Sequence, residues 1–251
     1  MTNNKTIVVA GLGEVGKPLF HLLSECCAVV GVDISPPPSD VKDVEVLHIC
    51  FPFQIKDFIG EVARYISLFR PELTVINSTV AVGTTRAVAE RTGATVVYSP
   101  VRGKHARMLQ DLRRYTKFVG ALDRSAAELA VKHFQSVGLN TKTLSSPEAT
   151  ELAKLSETTF FGLMIAWAQE VERYADGVGA QYDEIVSFYD EINFFPQVKY
   201  FPGVIGGHCV MPNIKLLQRL EHSEILDAIH LSNEKKIARE TPRTTVAVQN
   251  T

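Results

Sequence analysis

The chain has 251 residues with 26 basic against 28 acidic side chains, a formal net charge of −2, and is 45% hydrophobic and 22% charged. That composition excludes disordered, collagen-like and coiled-coil classes, and near-neutral charge gives no drive toward nucleic acid or an anionic membrane. No apolar run approaches the roughly 18 residues of a membrane span, and the opening Met1-Thr2-Asn3-Asn4-Lys5 lacks a signal segment, so a cytoplasmic protein is expected.

In chain order, Thr6–Ala10, Ala28–Val32, Val44–Ile49, Thr74–Asn77, Thr95–Tyr98, Lys117–Val119 and Thr141–Leu144 are short, apolar and rich in Val and Ile, the pattern of buried strands. Between them Val15–Ser24, Gln54–Phe69, Thr84–Arg91 and Ser125–Ser136 carry apolar residues at helical spacing. This alternation predicts an α/β, doubly wound, mostly parallel sheet over residues 1–146. After Ser146-Pro147 a long amphipathic run from Glu148 to Asp176 predicts one long helix, followed by a Pro/Gly/aromatic loop and a last helix over Ile214–Arg239. Residues 147–240 thus read as a helical substrate and dimerisation domain, and residues 241–251 as a flexible tail. The two long helices offer more apolar face than one chain covers, so a homodimer is expected.

Gly11-Leu12-Gly13-Glu14-Val15-Gly16 follows the first strand and opens a helix. In that context a G-x-G-x-x-G run is a dinucleotide-binding fingerprint. The first glycine allows the tight turn, the second lets a pyrophosphate approach the backbone, and the third lets helix and strand pack. Asp33, 22 residues after Gly11, ends the second strand where a carboxylate accepts ribose hydroxyls, which favours NAD over NADP; its alternative is a turn cap. Candidate cofactor contacts are Gly11, Gly13, Glu14, Val15, Gly16, Asp33, Pro52, Ser78 and Thr79.

Cys26, Cys27, Cys50 and Cys209 have no metal-ligand spacing, so no disulfide and no metal are expected. Cys26, Cys27 and Cys50 read as core residues. Cys209 follows two glycines on a loop, as a nucleophile or as a structural thiol. Arg102, Lys104, His105, Arg107, Arg113, Arg114 and Lys117 make the stretch after the fifth strand basic. Set on the sheet edge, they predict a small anionic substrate; set on a charged helix over Ala106–Tyr115, they are solvated surface.

At Ser78-Thr79-Val80-Ala81-Val82-Gly83-Thr84-Thr85, Glu151-Leu152-Ala153-Lys154 and Gly206-Gly207-His208-Cys209 the sequence resembles the UDP-glucose/GDP-mannose dehydrogenase family, in the family's order over about residues 5 to 240. The resemblance implies a Rossmann-type NAD domain with a long-helix domain, and oxidation of a sugar-nucleotide alcohol through a cysteine-bound thioester. It assigns Cys209 as nucleophile, Lys154 as the lysine that stabilises alkoxide charge, and Thr79 as a residue ordering water or the nicotinamide. Flanked by Leu152, Ala153 and Leu155, Lys154 is expected to be partly desolvated; the alternative for Lys154 is a solvated helix lysine, and for Thr79 a helix N-cap.

The chain departs from that pattern. Val101 stands where the family has the glutamate that hydrolyses the thioester, His105 where a second one occurs, Thr158 in place of the family asparagine, and Asn213 in place of an aspartate. Arg102, Lys104, His105, Thr158 and His208 are the candidate substrate contacts. The pattern stops before the family's third, nucleotide-gripping domain, so a shortened member is expected. Tyr98–Gly103 also resembles the substrate loop of the β-hydroxyacid dehydrogenases. The substrate class therefore spans sugar nucleotides, sugar phosphates and hydroxyacids, and a catalytically decayed NAD-binding protein stays open.

Overall fold

The computed structural model describes residues 6–33, 41–190, 192, 200–207 and 209–241. Two compact units divide the chain, residues 1–154 and 155–251. The prolines 36–38, which as a sequence read as a turn after the second strand, the tail beyond Thr241 and His208 lie outside the described residues.

The first unit is a sheet of seven strands: β1 (Thr6–Ala10), β2 (Ala28–Val32), β3 (Val44–Ile49), β4 (Leu73–Ile76), β5 (Val96–Tyr98), β6 (Lys117–Ala121) and β7 (Thr141–Thr143), in the spatial order β2-β1-β3-β4-β5-β6-β7. The pairs are parallel except β5–β6, where Tyr98 faces Gly120 in antiparallel register. The doubly wound sheet is as the alternation predicts.

Side chains alternate across the strands. Ile7, Val9, Val46, Val75 and Val97 enter one core with α1 (Gly16–Ser24), α4 (Met108–Arg114) and α5 (Arg124–Ser136). Val8, Ala10, Leu47, Ile49 and Ile76 enter a second core with α2 (Phe58–Phe69) and α3 (Thr84–Thr92). Both faces are covered, which is why the strands are apolar runs rather than alternating ones. Chain order puts β2 on one side of β1 and β3 on the other, so the strand order reverses beside β1 and leaves a crevice at the carboxyl ends of these strands.

The long helix, α6, runs Pro147–Val178, 32 residues or about 48 Å at 1.5 Å per residue. Ser146 Oγ accepts the Ala149 N–H at 3.1 Å, and Pro147 takes the first turn, where a missing N–H costs nothing. The helix starts in the first unit and continues into the second. There Ala166 packs with Ile205, Val210, Ile214, Leu226 and Ile229.

A short α7 (Tyr182–Ser187) follows, without an expectation from the sequence. The single last helix is corrected to two, α8 (Val210–Leu217) and α9 (Glu224–Glu240). The reason is local: Ser223 accepts the Leu226 N–H through its side chain and starts a new helix, with Glu224 and Asp227 in the first turn. Among the described residues no helix is long and apolar enough to cross a membrane.

Gly120 marks where β6 receives α6: a Cβ there would lie 2.7 Å from the Pro147 Cα and the Ser146 carbonyl oxygen. Gly120→Ala is expected to lower stability by about 1–3 kcal/mol, because backbone rather than a flexible side chain must yield. Urea unfolding of the variant against the native chain measures it.

Candidate functional site

In the first unit the glycine run forms the turn from β1 into α1. Gly11 has φ +91°, and a Cβ would lie 2.6 Å from the Phe51 nitrogen; one on Gly16 would overlap the Gly11 carbonyl oxygen. Gly13 is exposed with no heavy atom within 4 Å of its would-be Cβ. So two glycines make the turn and the middle one leaves an approach to the backbone. The Gly11 N–H donates to the Val32 carbonyl at 2.7 Å, which sets Asp33, exposed, beside the loop.

The helices that follow β1, β3 and β4 differ at their starts. Asp57 caps α2 by accepting the Gly60 N–H at 2.8 Å. At α3 the buried Glu151 carboxylate accepts from the Gly83 N–H at 2.6 Å, the Thr85 N–H at 2.9 Å and the Thr85 hydroxyl at 2.6 Å. The start of α1 has no side-chain cap. The Lys17 N–H is taken by the Gly13 carbonyl at 3.0 Å, and the positive dipole end of the helix faces the open Gly13, where it suits a phosphate. These features fit the pyrophosphate and adenosine ribose of NAD: open Gly13, uncapped α1 and exposed Asp33.

Glu151 is the first residue of the E-x-x-K pattern, and its role was missed in the sequence. Burial pushes its carboxyl up, against the donors that favour the anion. The carboxylate fixes α6 on the segment Gly83–Thr85, one turn before Lys154, which is half-buried. The partial burial of Lys154 is as expected, although of the flanking residues only Leu155 is buried, Leu152 and Ala153 being exposed. Thr79 is half-buried and is not the N-cap of α3, which is Gly83 at φ +91°. Ser78 is buried and donates to the Phe51 carbonyl at 2.6 Å, bracing the ends of β3 and β4, while Pro52 is exposed.

The basic stretch is dispersed. Arg102 lies 5.4 Å from the Tyr115 ring centroid and 5.3 Å from that of Phe118. Lys104 is exposed and its N–H donates to Asp111 at 2.9 Å, with Arg107 at 3.1 Å on the same oxygen. Arg113 pairs with Glu25. His105 opens a 3₁₀ turn, His105–Arg107, ahead of α4. Lys117 opens β6, as the strand pattern predicts; the correction is that it is 3% exposed and so is not part of a basic edge open to substrate.

The Lys117 ammonium belongs to a buried chain of polar groups. It donates to the carbonyls of Ser99 at 2.7 Å and Pro100 at 3.1 Å and to the Asn77 side-chain oxygen at 3.4 Å. The Asn77 amide nitrogen donates to His48 Nδ1 at 3.1 Å, so His48 carries its proton on Nε2 and donates it to His133 Nε2 at 2.9 Å. Burial lowers His48 well below its ordinary value and His133 to about 4, keeping both neutral. Nothing in the local sequence marks this chain, which joins β3, β4, β6 and α5.

Among the cysteines, Cys50 is buried as expected, and burial pushes its thiol up to about 12. The core expectation fails for Cys26, which is exposed with its Sγ 3.6 Å from that of the half-buried Cys27. The second unit carries Cys209, exposed at the start of α8. Its loop is anchored from behind: the Gln169 amide donates to the Gly203 carbonyl at 2.7 Å, and Asn233 accepts the Ile205 N–H at 2.7 Å and donates to its carbonyl at 3.1 Å. Gly207, at φ +75°, makes the left-handed step before the cysteine. Thr158 is half-buried on α6, four residues beyond Lys154.

Residues 148–237 match the UDP-glucose/GDP-mannose dehydrogenase family, central domain. The resemblance carried by the motifs therefore holds. The chain is 26% identical over 229 residues to a UDP-N-acetyl-D-mannosamine dehydrogenase of Pyrococcus horikoshii, covering 83% of this chain and 54% of that protein. It is 25% identical over 268 residues to an NDP-N-acetyl-D-galactosaminuronic acid dehydrogenase of Ralstonia nicotianae, covering 82% and 62%. The chain thus spans little more than half the length of these relatives. A solved UDP-D-ManNAc dehydrogenase of Pyrococcus horikoshii superposes with a TM-score of 0.81 at 22% identity, covering 93% of this chain and 69% of that one. A 3-hydroxyisobutyrate dehydrogenase of Mycobacterium tuberculosis gives 0.70 at 18% identity, covering 94% of each. These likenesses show the Rossmann-type fold.

Burial pulls the Lys117 ammonium down to about 7 from 10.5. A base lowered on folding makes the chain less stable as pH falls: the cost begins below 10.5, grows down to 7 and is constant beneath it. The native chain is expected to gain up to roughly 5 kcal/mol over Lys117→Met between pH 7 and 10.5. Urea unfolding of both across that range checks it, and parallel curves would refute the burial argument.

Proposed function

We propose that the chain is an NAD-dependent oxidoreductase acting on the CH–OH group of a small anionic substrate, in the manner of the nucleotide-sugar dehydrogenases. The observation that carries this reading is the glycine turn, with Gly13 open, α1 uncapped and Asp33 exposed, on a chain whose residues 148–237 match that family. Gly11, Gly13, Glu14, Val15, Gly16, Asp33, Pro52, Ser78 and Thr79 would hold the cofactor. NAD, when bound, supplies the hydride acceptor.

On this reading the Lys154 ammonium stabilises charge developing on the substrate oxygen, and a water ordered by Thr79 takes the hydroxyl proton. Arg102, Lys104, His105, Thr158 and His208 receive the substrate, for which the relatives favour a sugar nucleotide. Cys209 attacks the aldehyde product. Its exposure at a helix start suits a nucleophile more than a structural thiol. Residues 1–146 serve the cofactor and 147–240 the substrate and the dimer. Phe160, Trp167 and Tyr174, spaced by seven on α6 and each more than half exposed, are the face by which two chains would associate. The protein would work in the cytoplasm.

A second reading, a two-electron dehydrogenase of the β-hydroxyacid type, is favoured by Val101. It is buried in the first core, and no carboxylate is offered at that position to hydrolyse a thioester.

Two measurements test the proposal. NAD is expected to raise the melting temperature of the native chain and to bind Asp33→Ala at least tenfold more weakly, about 1.4 kcal/mol. No shift with NAD would refute the cofactor assignment. With a UDP-N-acetylhexosamine as substrate, the native chain is expected to form two NADH per substrate with slow release of the acyl-enzyme, and Cys209→Ser one; two NADH with fast turnover would show that another base replaces Val101. Unaltered stoichiometry in that variant would remove the cysteine from the mechanism, and one NADH from the native chain would select the second reading.

A further inference from the structure

Because β6 is antiparallel to β5, its first residue, Lys117, lies beyond the end of β5 and beneath the turn Ser99-Pro100-Val101 that leads to Arg102. Its amine faces three oxygens, of Ser99, Pro100 and Asn77, and the Phe134 ring at 5.0 Å. An ammonium has three N–H donors for three acceptors. A neutral amine has two, and its lone pair must face the remaining oxygen.

The ionisable groups acting with it are His48 and Cys50 from β3 and the residue after it, His133 from α5 and Lys154 from α6. None of these is a carboxylate, both histidines are neutral, and the thiol is held protonated. Among the described residues the charge is compensated by the three oxygens and by the face of the Phe134 ring. A buried cation so placed is retained through geometry and not through an ion pair. The same turn is braced from outside by backbone: the Ser99 N–H donates to Ile76 at 2.9 Å and the Val101 N–H to Asn77 at 3.4 Å.

Resting on the proposed role of Arg102 in substrate binding, we propose that Lys117 is a positioning residue that clamps the β5 turn when charged and releases one of its three oxygens when neutral. Arg102 is then held for an anionic substrate in the charged state. The arrangement links substrate binding to proton uptake, because an anion arriving at this edge gives the ammonium the counter-charge that the fold withholds.

Hydrogen–deuterium exchange of the unliganded chain, read in peptides covering residues 96–104 from pH 6 to 9 and corrected for intrinsic exchange chemistry, tests the clamp. Protection of the Ser99 and Val101 amides is expected to fall roughly tenfold with a midpoint near 7, the value to which burial brings the lysine, while peptides over β1 stay constant. In Lys117→Met the turn should show, at every pH, the lower protection of the native chain at pH 9. A native turn with the same protection at pH 6 and 9 would overturn the proposal, and that result needs no variant to fold. A pH step that survives in Lys117→Met would overturn it as well. Neither outcome depends on NAD or on turnover, so failure of the clamp and failure of the dehydrogenase reading are told apart by the NAD melting shift.

Discussion

A backbone N–H at the start of a helix must find an acceptor, and in the first unit the choice of acceptor organises everything at the carboxyl edge of the sheet. Where a side chain takes the donors, as Asp57 does for α2 and Glu151 for α3, that end of the helix becomes a joint in the fold. At α1 no side-chain cap is made, and on the proposed reading that end receives the phosphates of the dinucleotide. The two outcomes are complementary. Glu151 spends its carboxylate on α3, and in doing so brings the turn of α6 that carries Lys154 onto the segment after β4, at the same edge to which the glycine turn opens.

The glycine turn depends on a similar division. Gly11 and Gly16 are required by the fold, since a side chain at either meets backbone, whereas Gly13 meets nothing. A substitution at Gly16 therefore breaks the turn, while one at Gly13 leaves it intact and fills the space into which a phosphate would come. Structural and ligand-facing roles sit two or three residues apart, and the exposed Asp33 is tied to the same turn through the Gly11–Val32 hydrogen bond.

How much of this was legible in the sequence follows from how local each cause is. The strands were legible because burial on both faces writes a run of Val and Ile, and the glycine turn because its steric demands fall within six residues. The break between α8 and α9 had a local signal, Ser223 followed by Glu224 and Asp227, but apolar residues continue at helical spacing on both sides and masked it. Lys117 had no signal at all. A lysine opening a strand reads as solvated, and its burial is decided by Ser99, Pro100, Asn77 and Phe134, which come from three other parts of the chain. Glu151 is the intermediate case: the motif drew attention to its lysine, while the acid's task appeared only when α3 was seen to start against it.

The loss of a carboxylate at Val101 and the presence of a buried amine at Lys117 bear on the same turn and act in the same direction. Val101 packs into the first core with Met108 and Leu112, so the turn is apolar on the side where its relatives' pattern has an acid. The adjacent carbonyls of Ser99 and Pro100 point to a cation. With no acid in the turn and a cation below it, the local potential favours an anion more than the family pattern alone would. On the proposed reading, Val101 also removes from the family pattern the base that would release an acyl group from the cysteine. On the proposed reading, then, charge has moved from the chemistry of the second oxidation to the binding of the substrate. On that reading the first hydride transfer, which asks for Lys154, a water ordered by Thr79 and a bound dinucleotide but no acid at residue 101, is the step this arrangement serves best.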